Sequence, residues 1–101
     1  MSKPSGFVRE RSIERYLVTS VNNAGGIALK LSPGGGWPDR LVLWPGGRFD
    51  LVELKRPKGG ALAAVQAANH RKLQDLGITA PLVLASKYAV DQYISEKGFL
   101  S

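Results

Sequence analysis

Glu53 and Lys55, near the middle of the chain, have side chains that can do chemistry at a spacing that brings them together. They end an otherwise apolar segment that is predicted to be a strand, and residues two apart in a strand share a face. Burying a carboxylate and an ammonium at a strand end costs free energy unless they pair with each other or bind a metal ion. The pattern therefore predicts either a functional site or an ordinary Glu–Lys pair on the surface.

Asp39 joins this pair only if the turn between two predicted strands has the right length. With a three-residue turn, Pro45-Gly46-Gly47, Trp44 pairs with Arg48 and Asp39 lies opposite Glu53. A proline at the first corner and a glycine in the left-handed position favour that turn. A four-residue turn would shift the register by one and send Asp39 to the other face of the sheet. We therefore predict the three-residue turn, with the two carboxylates across from each other.

Two carboxylates held close together supply half of the ligands of a Mg²⁺ ion, and waters and a substrate phosphate complete its shell. Such an ion can polarise a phosphate ester and lower the pKa of a bound water. A lysine alongside can orient the attacking water and offset the charge that builds on the phosphate. Asp39, Glu53 and Lys55 therefore indicate metal-assisted hydrolysis. The alternative is a surface ion pair beside an aspartate that caps a strand.

Apolar periodicity, together with the positions of glycine and proline, predicts the elements that must hold these residues. Helices are predicted at residues 12–23, 61–76 and 89–97. Strands are predicted at residues 27–31, 40–44, 49–55 and 81–86, with a glycine-rich loop over 32–38. The order α-β-β-β-α-β-α predicts an α/β sandwich in which helices flank a mixed central sheet.

Length and composition limit the possible classes of protein. A chain of 101 residues has the size of one domain, so we expect a single domain over residues 1–101 with residues 1–7 loose. Fourteen Lys and Arg against eight Asp and Glu favour a polyanionic partner, although a basic bias alone is compatible with any soluble domain. The lack of cysteine excludes disulfides and cysteine nucleophiles and fits a cytoplasmic protein. No apolar stretch approaches the ~20 residues that span a bilayer, so we expect no membrane partner.

Four motifs in order along the chain resemble those of a known family. They are Glu14 in the first helix, Gly36-Trp37-Pro38-Asp39 before a strand, Glu53-Leu54-Lys55, and Gln66 in the following helix. Together they resemble the virus-type replication-repair nuclease (VRR-NUC) domain of the PD-(D/E)xK nuclease superfamily, from about Glu14 to Gly77. An alanine-rich run just before Gln66 departs from the polar residues that the family more often has there.

The resemblance implies a restriction-endonuclease-like fold and a Mg²⁺- or Mn²⁺-dependent endonuclease that hydrolyses DNA. It also implies a homodimer that acts on branched DNA, such as four-way junctions or flaps, in phage or bacterial replication and repair. The implied metal ligands are Asp39, Glu53, the Leu54 carbonyl and, directly or through water, Glu14. Lys55 would activate the water, and Gln66 would assist it.

Further residues are candidates for binding DNA or a second copy of the chain. The predicted DNA contacts are Arg9, Arg11, Arg15, Trp37, Arg40, Arg56, Lys58, Arg71 and Lys72. Trp37 either stacks on bases or packs under its loop. His70 is the only histidine, which excludes a His-based triad, and we predict it to be partly exposed. The candidate dimer contacts are Tyr16, Val18, Tyr93, Phe99 and Leu100.

Two alternatives remain open from the sequence. The first is a nucleic-acid-binding module that has the fold without the reaction. The second is a structural or assembly protein whose basic face meets other proteins. Metal-dependent cleavage separates the enzyme from both, and salt-dependent DNA binding separates the first alternative from the second.

Overall fold

A computed structural model describes residues 10–31, 35–55 and 63–98. The helices are α1 (Glu10–Asn23), α2 (Ala64–Asp75) and α3 (Lys87–Gly98). The strands are β1 (Ile27–Lys30), β2 (Arg40–Leu43), β3 (Phe49–Leu54) and β4 (Leu82–Leu84). The predicted order is confirmed, and the bounds differ by a few residues at element ends, where hydrogen bonding frays. Residues 1–7 and the predicted start of the second helix at 61–62 lie outside the described residues. No helix among the described residues is long and apolar enough to cross a membrane.

The strands form one mixed sheet in the order β1-β2-β3-β4. β1, β2 and β3 are antiparallel neighbours, and β4 lies parallel to β3. Two parallel strands need a crossover connection, which α2 provides between β3 and β4. The chemistry-bearing hairpin, β2 and β3, is therefore at the centre of the sheet, where its backbone is hydrogen-bonded on both sides.

The turn between β2 and β3 has the three residues that the sequence predicts. The Trp44 N–H donates to the Arg48 carbonyl at 2.8 Å, which leaves residues 45–47 as the turn. Gly46 and Gly47 have φ angles of +89° and +83°, a conformation that residues with a side chain rarely adopt. The predicted register of the hairpin is thus confirmed.

One face of the sheet packs against α1 and α3 and forms the hydrophobic core. α1 contributes Ile13, Leu17 and Val21, which recur every four residues and are fully buried. They pack with residues of the sheet and of α3: Val42, Trp44, Val52, Leu54, Leu84, Val90 and Tyr93. Trp44 is 4% exposed and belongs to this core.

Tyr93 fastens α3 to the sheet from within this core. Its hydroxyl group accepts a hydrogen bond from Trp44 Nε1 at 2.9 Å and donates one to Asp50 at 2.7 Å. The prediction that Tyr93 contacts a second copy is wrong, because the side chain is buried in its own domain. The other predicted contacts either pack partly against the same core (Tyr16, Val18) or lie outside the described residues (Phe99, Leu100).

The second face of the sheet is apolar and largely accessible. Cross-strand partners share a face, and they give three rows here: Ile27, Leu43 and Phe49; Leu29, Leu41 and Leu51; Val83 and Glu53. We call the seven apolar members of these rows the open face. Four of them, Ile27, Leu29, Phe49 and Val83, are 55%, 44%, 56% and 43% exposed. α2 meets this side of the sheet at its Glu53 end, and that junction forms the candidate site.

Candidate active site

Asp39 stands immediately before β2 and is fixed against the end of β3. The register pairs Arg40 with Val52, which brings Asp39 opposite Glu53. The Asp39 N–H donates to the Val52 carbonyl at 3.0 Å, and the Leu54 N–H donates to Asp39 Oδ2 at 2.8 Å. The carboxylate is therefore held in place by the backbone of the neighbouring strand.

Glu53 is the buried centre of the site, with 2% of its surface exposed. Burial raises the pKa of its carboxyl group from 4.5 to about 7, and the charge of the neighbouring Asp39 acts in the same direction. The positive charge of Lys55 opposes the rise, and Glu10 adds to it. Two adjacent carboxylates in a buried position are unfavourable without a cation.

Lys55 lies beside these carboxylates, at the point where β3 ends. Its Nζ is 4.0 Å from Glu53 Oε2, and its side chain is 14% exposed. The Lys55 N–H donates to the Leu84 carbonyl at 3.1 Å, so β4 holds the backbone in position. An ammonium group placed here can donate to a phosphate oxygen or to a water beside Glu53.

Gln66 connects the first turn of α2 to the carboxylate of Glu53. Its Nε2 donates to Glu53 Oε2 at 2.9 Å, and its Oε1 accepts the Ala63 N–H at 3.0 Å. The second bond satisfies one of the free N–H groups at the start of the helix. Because both ends of the amide are engaged, Gln66 fixes the orientation of Glu53.

A close approach between α2 and the loop before Asp39 holds this turn of helix in place. Gly36 has a φ of +79°, and a Cβ there would lie 3.0 Å from Val65 Cγ1 and 3.2 Å from Asn69 Nδ2. The Asn69 amide donates to the Gly35 carbonyl. Asn69 is buried, and its bond supplies the partner that a buried polar group requires. Glycine at position 36 therefore allows α2 to reach the site.

His70 belongs to the site, although the sequence predicted a partly exposed helix residue. It is 8% exposed, and its Nε2 is 3.6 Å from Glu53 Oε1. Burial lowers the pKa of His70, and the charge of Lys55 acts in the same direction, so the imidazole is neutral near pH 7. The prediction of partial exposure is wrong. The sequence feature that could have placed His70 in the site is its spacing of four residues from Gln66, because residues four apart share one face of a helix.

Glu14 is the predicted ligand that the structure does not bring to Glu53. Its Oε2 accepts from Arg40 Nε at 2.9 Å and from Lys30 Nζ at 3.3 Å. Arg40 also donates to the Ala28 carbonyl and is only 15% exposed, so the structure places it in an ion pair with Glu14, and its contact with DNA stays a prediction. Glu10, one helical turn before Glu14, is the α1 acid whose charge acts on Glu53.

The other predicted DNA contacts fall into two groups. Those that the structure describes are exposed: Arg11, Arg15, Arg71, Lys72 and, at 42%, Trp37. Arg9, Arg56 and Lys58 lie outside the described residues. Arg11 and Arg15 lie on α1, whereas Arg71 and Lys72 lie on α2, the helix that reaches the site.

The donor set of the site fits a hard divalent cation. Glu53 Oε1 is buried and has no hydrogen-bond partner within residues 10–31, 35–55 and 63–98. Within the same residues, no group of three or more His, Cys, Asp or Glu side chains is placed to hold a metal ion. Mg²⁺ does not require such a group, because one or two carboxylates with waters and substrate phosphates complete its shell. The Asp39–Glu53 pair and its free oxygen meet that requirement.

Comparisons with known proteins agree with this geometry. No family model matches the chain. The chain is 47% identical over 72 residues to "Putative nuclease p44" of Acyrthosiphon pisum secondary endosymbiont phage 1, which covers 69% of this chain and 76% of that protein. A solved structure described as a VRR-NUC domain is similar with a TM-score of 0.75 and 30% identity, over 85% of this chain and 94% of that chain.

Proposed function

This chain belongs to the VRR-NUC family of nucleases, and we propose that it is a divalent-metal-dependent endonuclease that hydrolyses DNA phosphodiesters. The observation that supports the metal dependence is the pairing of Asp39 with Glu53. The buried carboxyl group of Glu53 lies opposite the partly buried Asp39, and one oxygen of Glu53 lacks a hydrogen-bond partner among the described residues. Mg²⁺ or Mn²⁺ matches these oxygen donors.

Different residues of the chain have different roles in the reaction. The metal ligands are Asp39, Glu53 and the Leu54 carbonyl. A bound divalent cation supplies Lewis acidity, which polarises the scissile phosphate and lowers the pKa of a water. Lys55 orients the attacking water and donates to the phosphate as negative charge builds on it. Gln66 holds Glu53 in its binding orientation. Glu14 supports the site indirectly, because it orients Arg40, the residue after Asp39.

The substrate that we propose is branched DNA, such as a four-way junction or a flap, cut during phage replication or repair in the cytoplasm of the host bacterium. The net charge of +6 favours a polyanion, and the exposed Arg71 and Lys72 stand on α2, the helix that reaches the site. Arg11 and Arg15 are exposed on α1. The similar protein in a phage supports the phage setting.

We also propose that the chain forms a homodimer, with the open face as the contact between the two copies. The seven residues of this face are all apolar, so it does not suit DNA, and large exposed apolar patches mark protein contacts. A two-fold pair buries the same patch on both copies. Two copies also supply two active sites, which the symmetric cutting of a four-way junction requires.

The test is cleavage of duplex, flap and four-way-junction DNA by the full chain with Mg²⁺, with Mn²⁺ or with EDTA. We expect cleavage only with metal, and its loss in Asp39→Asn and Glu53→Gln with DNA binding retained. Asp75→Asn, which removes an exposed acid at the end of α2, is the matched control and keeps full activity. Cleavage in EDTA, or by either site variant, would contradict the mechanism. Binding without any cleavage would favour the non-catalytic module.

A further inference from the structure

His70 and Glu53 present two buried polar atoms to each other. His70 Nε2 and Glu53 Oε1 are 3.6 Å apart, and neither has a hydrogen-bond partner in the part of the chain that the structure describes. The residues are 8% and 2% exposed, so bulk water does not solvate them freely. Buried polar atoms without hydrogen-bond partners cost free energy, so a ligand shared by the two atoms would stabilise this arrangement.

The distance between His70 Nε2 and Glu53 Oε1 limits which group can bind between them. A direct N–H···O hydrogen bond is about 2.7–3.2 Å long, so 3.6 Å is too great. A water that bridges two groups through hydrogen bonds of about 2.8 Å at its tetrahedral angle holds them roughly 4.5 Å apart, so 3.6 Å is too short. Two ligand atoms that each lie about 2.1 Å from one small divalent ion are separated by roughly 3 to 4.2 Å. The observed separation falls within the last range.

We propose that His70 is a nitrogen ligand of the metal ion that the nuclease binds at Glu53. Because the described residues place no three acidic or histidine side chains together around one ion, Asp39 would reach an ion held by His70 and Glu53 through a water. The inference rests on the proposed function, because it assumes that an ion is bound there, and it adds a donor of a different chemical type. Carboxylate oxygens favour Mg²⁺ and Mn²⁺, whereas imidazole nitrogen favours later transition metals such as Ni²⁺. The remainder of α2 supports this placement, because Gln66 occupies the other oxygen of Glu53 and leaves Oε1 facing His70.

The experiment uses Mn²⁺ as the probe and the full chain without a polyhistidine tag. His70 is the only histidine, so a histidine ¹⁴N coupling in the pulsed EPR spectrum of bound Mn²⁺ has a single source. We expect this coupling in the wild-type protein and its loss in His70→Gln. We also expect His70→Gln to weaken Ni²⁺ binding about tenfold or more, with a smaller effect on Mg²⁺. Gln74→Ala, an exposed position one turn further along α2, is the control and leaves the coupling unchanged.

Two results would contradict the role of His70, and they differ in what they imply for the proposed function. Mn²⁺ that binds in the wild type and is lost in Glu53→Gln, but shows no nitrogen coupling, would overturn the role of His70 and leave the proposed function in place. If the wild type has no Mn²⁺ site that Glu53→Gln abolishes, the result would contradict both the role of His70 and the proposed function. The wild-type spectrum decides the question even if His70→Gln does not fold.

Discussion

At the scale of single residues, the burial of Glu53 beside Asp39 links the stability of the metal-free protein to pH. The unfolded chain ionises Glu53 near 4.5, whereas the folded protein holds the proton up to about 7. The folded state therefore binds more protons between these values, and its free energy of unfolding falls as pH rises through that window. A bound cation favours the charged carboxylate, so it lowers the pKa of Glu53 instead of raising it.

The first prediction tests this linkage with Glu53→Gln, which cannot ionise and can still accept the Gln66 hydrogen bond. In EDTA at pH 8 we expect the variant to exceed the wild type in free energy of unfolding by on the order of 2 kcal/mol. We expect the difference to shrink toward pH 5, as measured by urea denaturation. Asp75→Asn is the control, and a Glu53→Gln variant with the pH dependence of the wild type would refute the prediction.

The second prediction concerns the two acids of α1. Glu10→Gln should weaken Mg²⁺ binding several-fold, because it removes a negative charge that acts on Glu53. Glu14→Gln should affect Mg²⁺ less and instead destabilise the fold by about 1–3 kcal/mol, because the half-buried Arg40 loses its carboxylate partner. Calorimetric metal titration and urea denaturation measure the two effects. The opposite ranking for Mg²⁺ would make Glu14 the metal ligand that the family resemblance implies.

At the scale of elements, the site depends on how closely α2 approaches the loop before β2. The two elements meet at Gly36, where a side chain would contact Val65, Asn69 and the backbone of Gln66. A displacement of α2 at this point moves Gln66, and with it the carboxylate of Glu53. Small shifts of this kind cost much in rate because catalysis requires fixed geometry.

The third prediction compares alanine at two glycines with similar backbone conformation. Gly36→Ala and Gly47→Ala place a side chain at φ angles of +79° and +83°, so each should lose about 1–2 kcal/mol of stability through backbone strain. A Cβ at Gly47 meets nothing within 4 Å among the described residues, so Gly47→Ala should keep its activity. Gly36→Ala should cut DNA about tenfold more slowly or worse. Equal rates in the two variants would show that this contact does not control the site.

At the scale of the whole molecule, the sheet has one covered face and one open face. α1 and α3 bury the first, and four side chains of the second remain about half exposed. A single small domain rarely leaves such a surface in water, since contiguous apolar area promotes association. The dimer that we propose is the arrangement that removes this surface and doubles the number of active sites.

The fourth prediction places a charge on the open face, in the proposed dimer contact. Phe49→Glu should convert the protein from a dimer to a monomer in light scattering at micromolar concentration, because a buried unpaired carboxylate opposes association. Tyr88→Glu changes an exposed aromatic residue of α3, away from the open face, and should leave the dimer intact. A wild-type protein that is already monomeric, or a Phe49→Glu variant that remains dimeric, would contradict this assignment.

Local sequence determined the centre of the site and the order of the elements. The turn Pro45-Gly46-Gly47 fixes the hairpin register, and the register in turn sets Asp39 opposite Glu53. These relations depend on a few neighbouring residues and on the alternation of side chains along a strand. Glu53 and Lys55 share a face for the same reason, and the spacing of Ile13, Leu17 and Val21 marks the buried side of α1.

Only the tertiary structure decided which distant side chains reach that centre. His70 was predicted to be partly exposed, and it is buried because α2 crosses the sheet at Glu53. Glu14 was expected at the metal, and it is paired with Arg40 because α1 packs on the other face of the sheet. The exposure of Phe49 on the open face likewise depends on what the helices leave uncovered. Helical periodicity defines the faces of a helix, but the element that each face meets depends on packing between segments far apart in sequence.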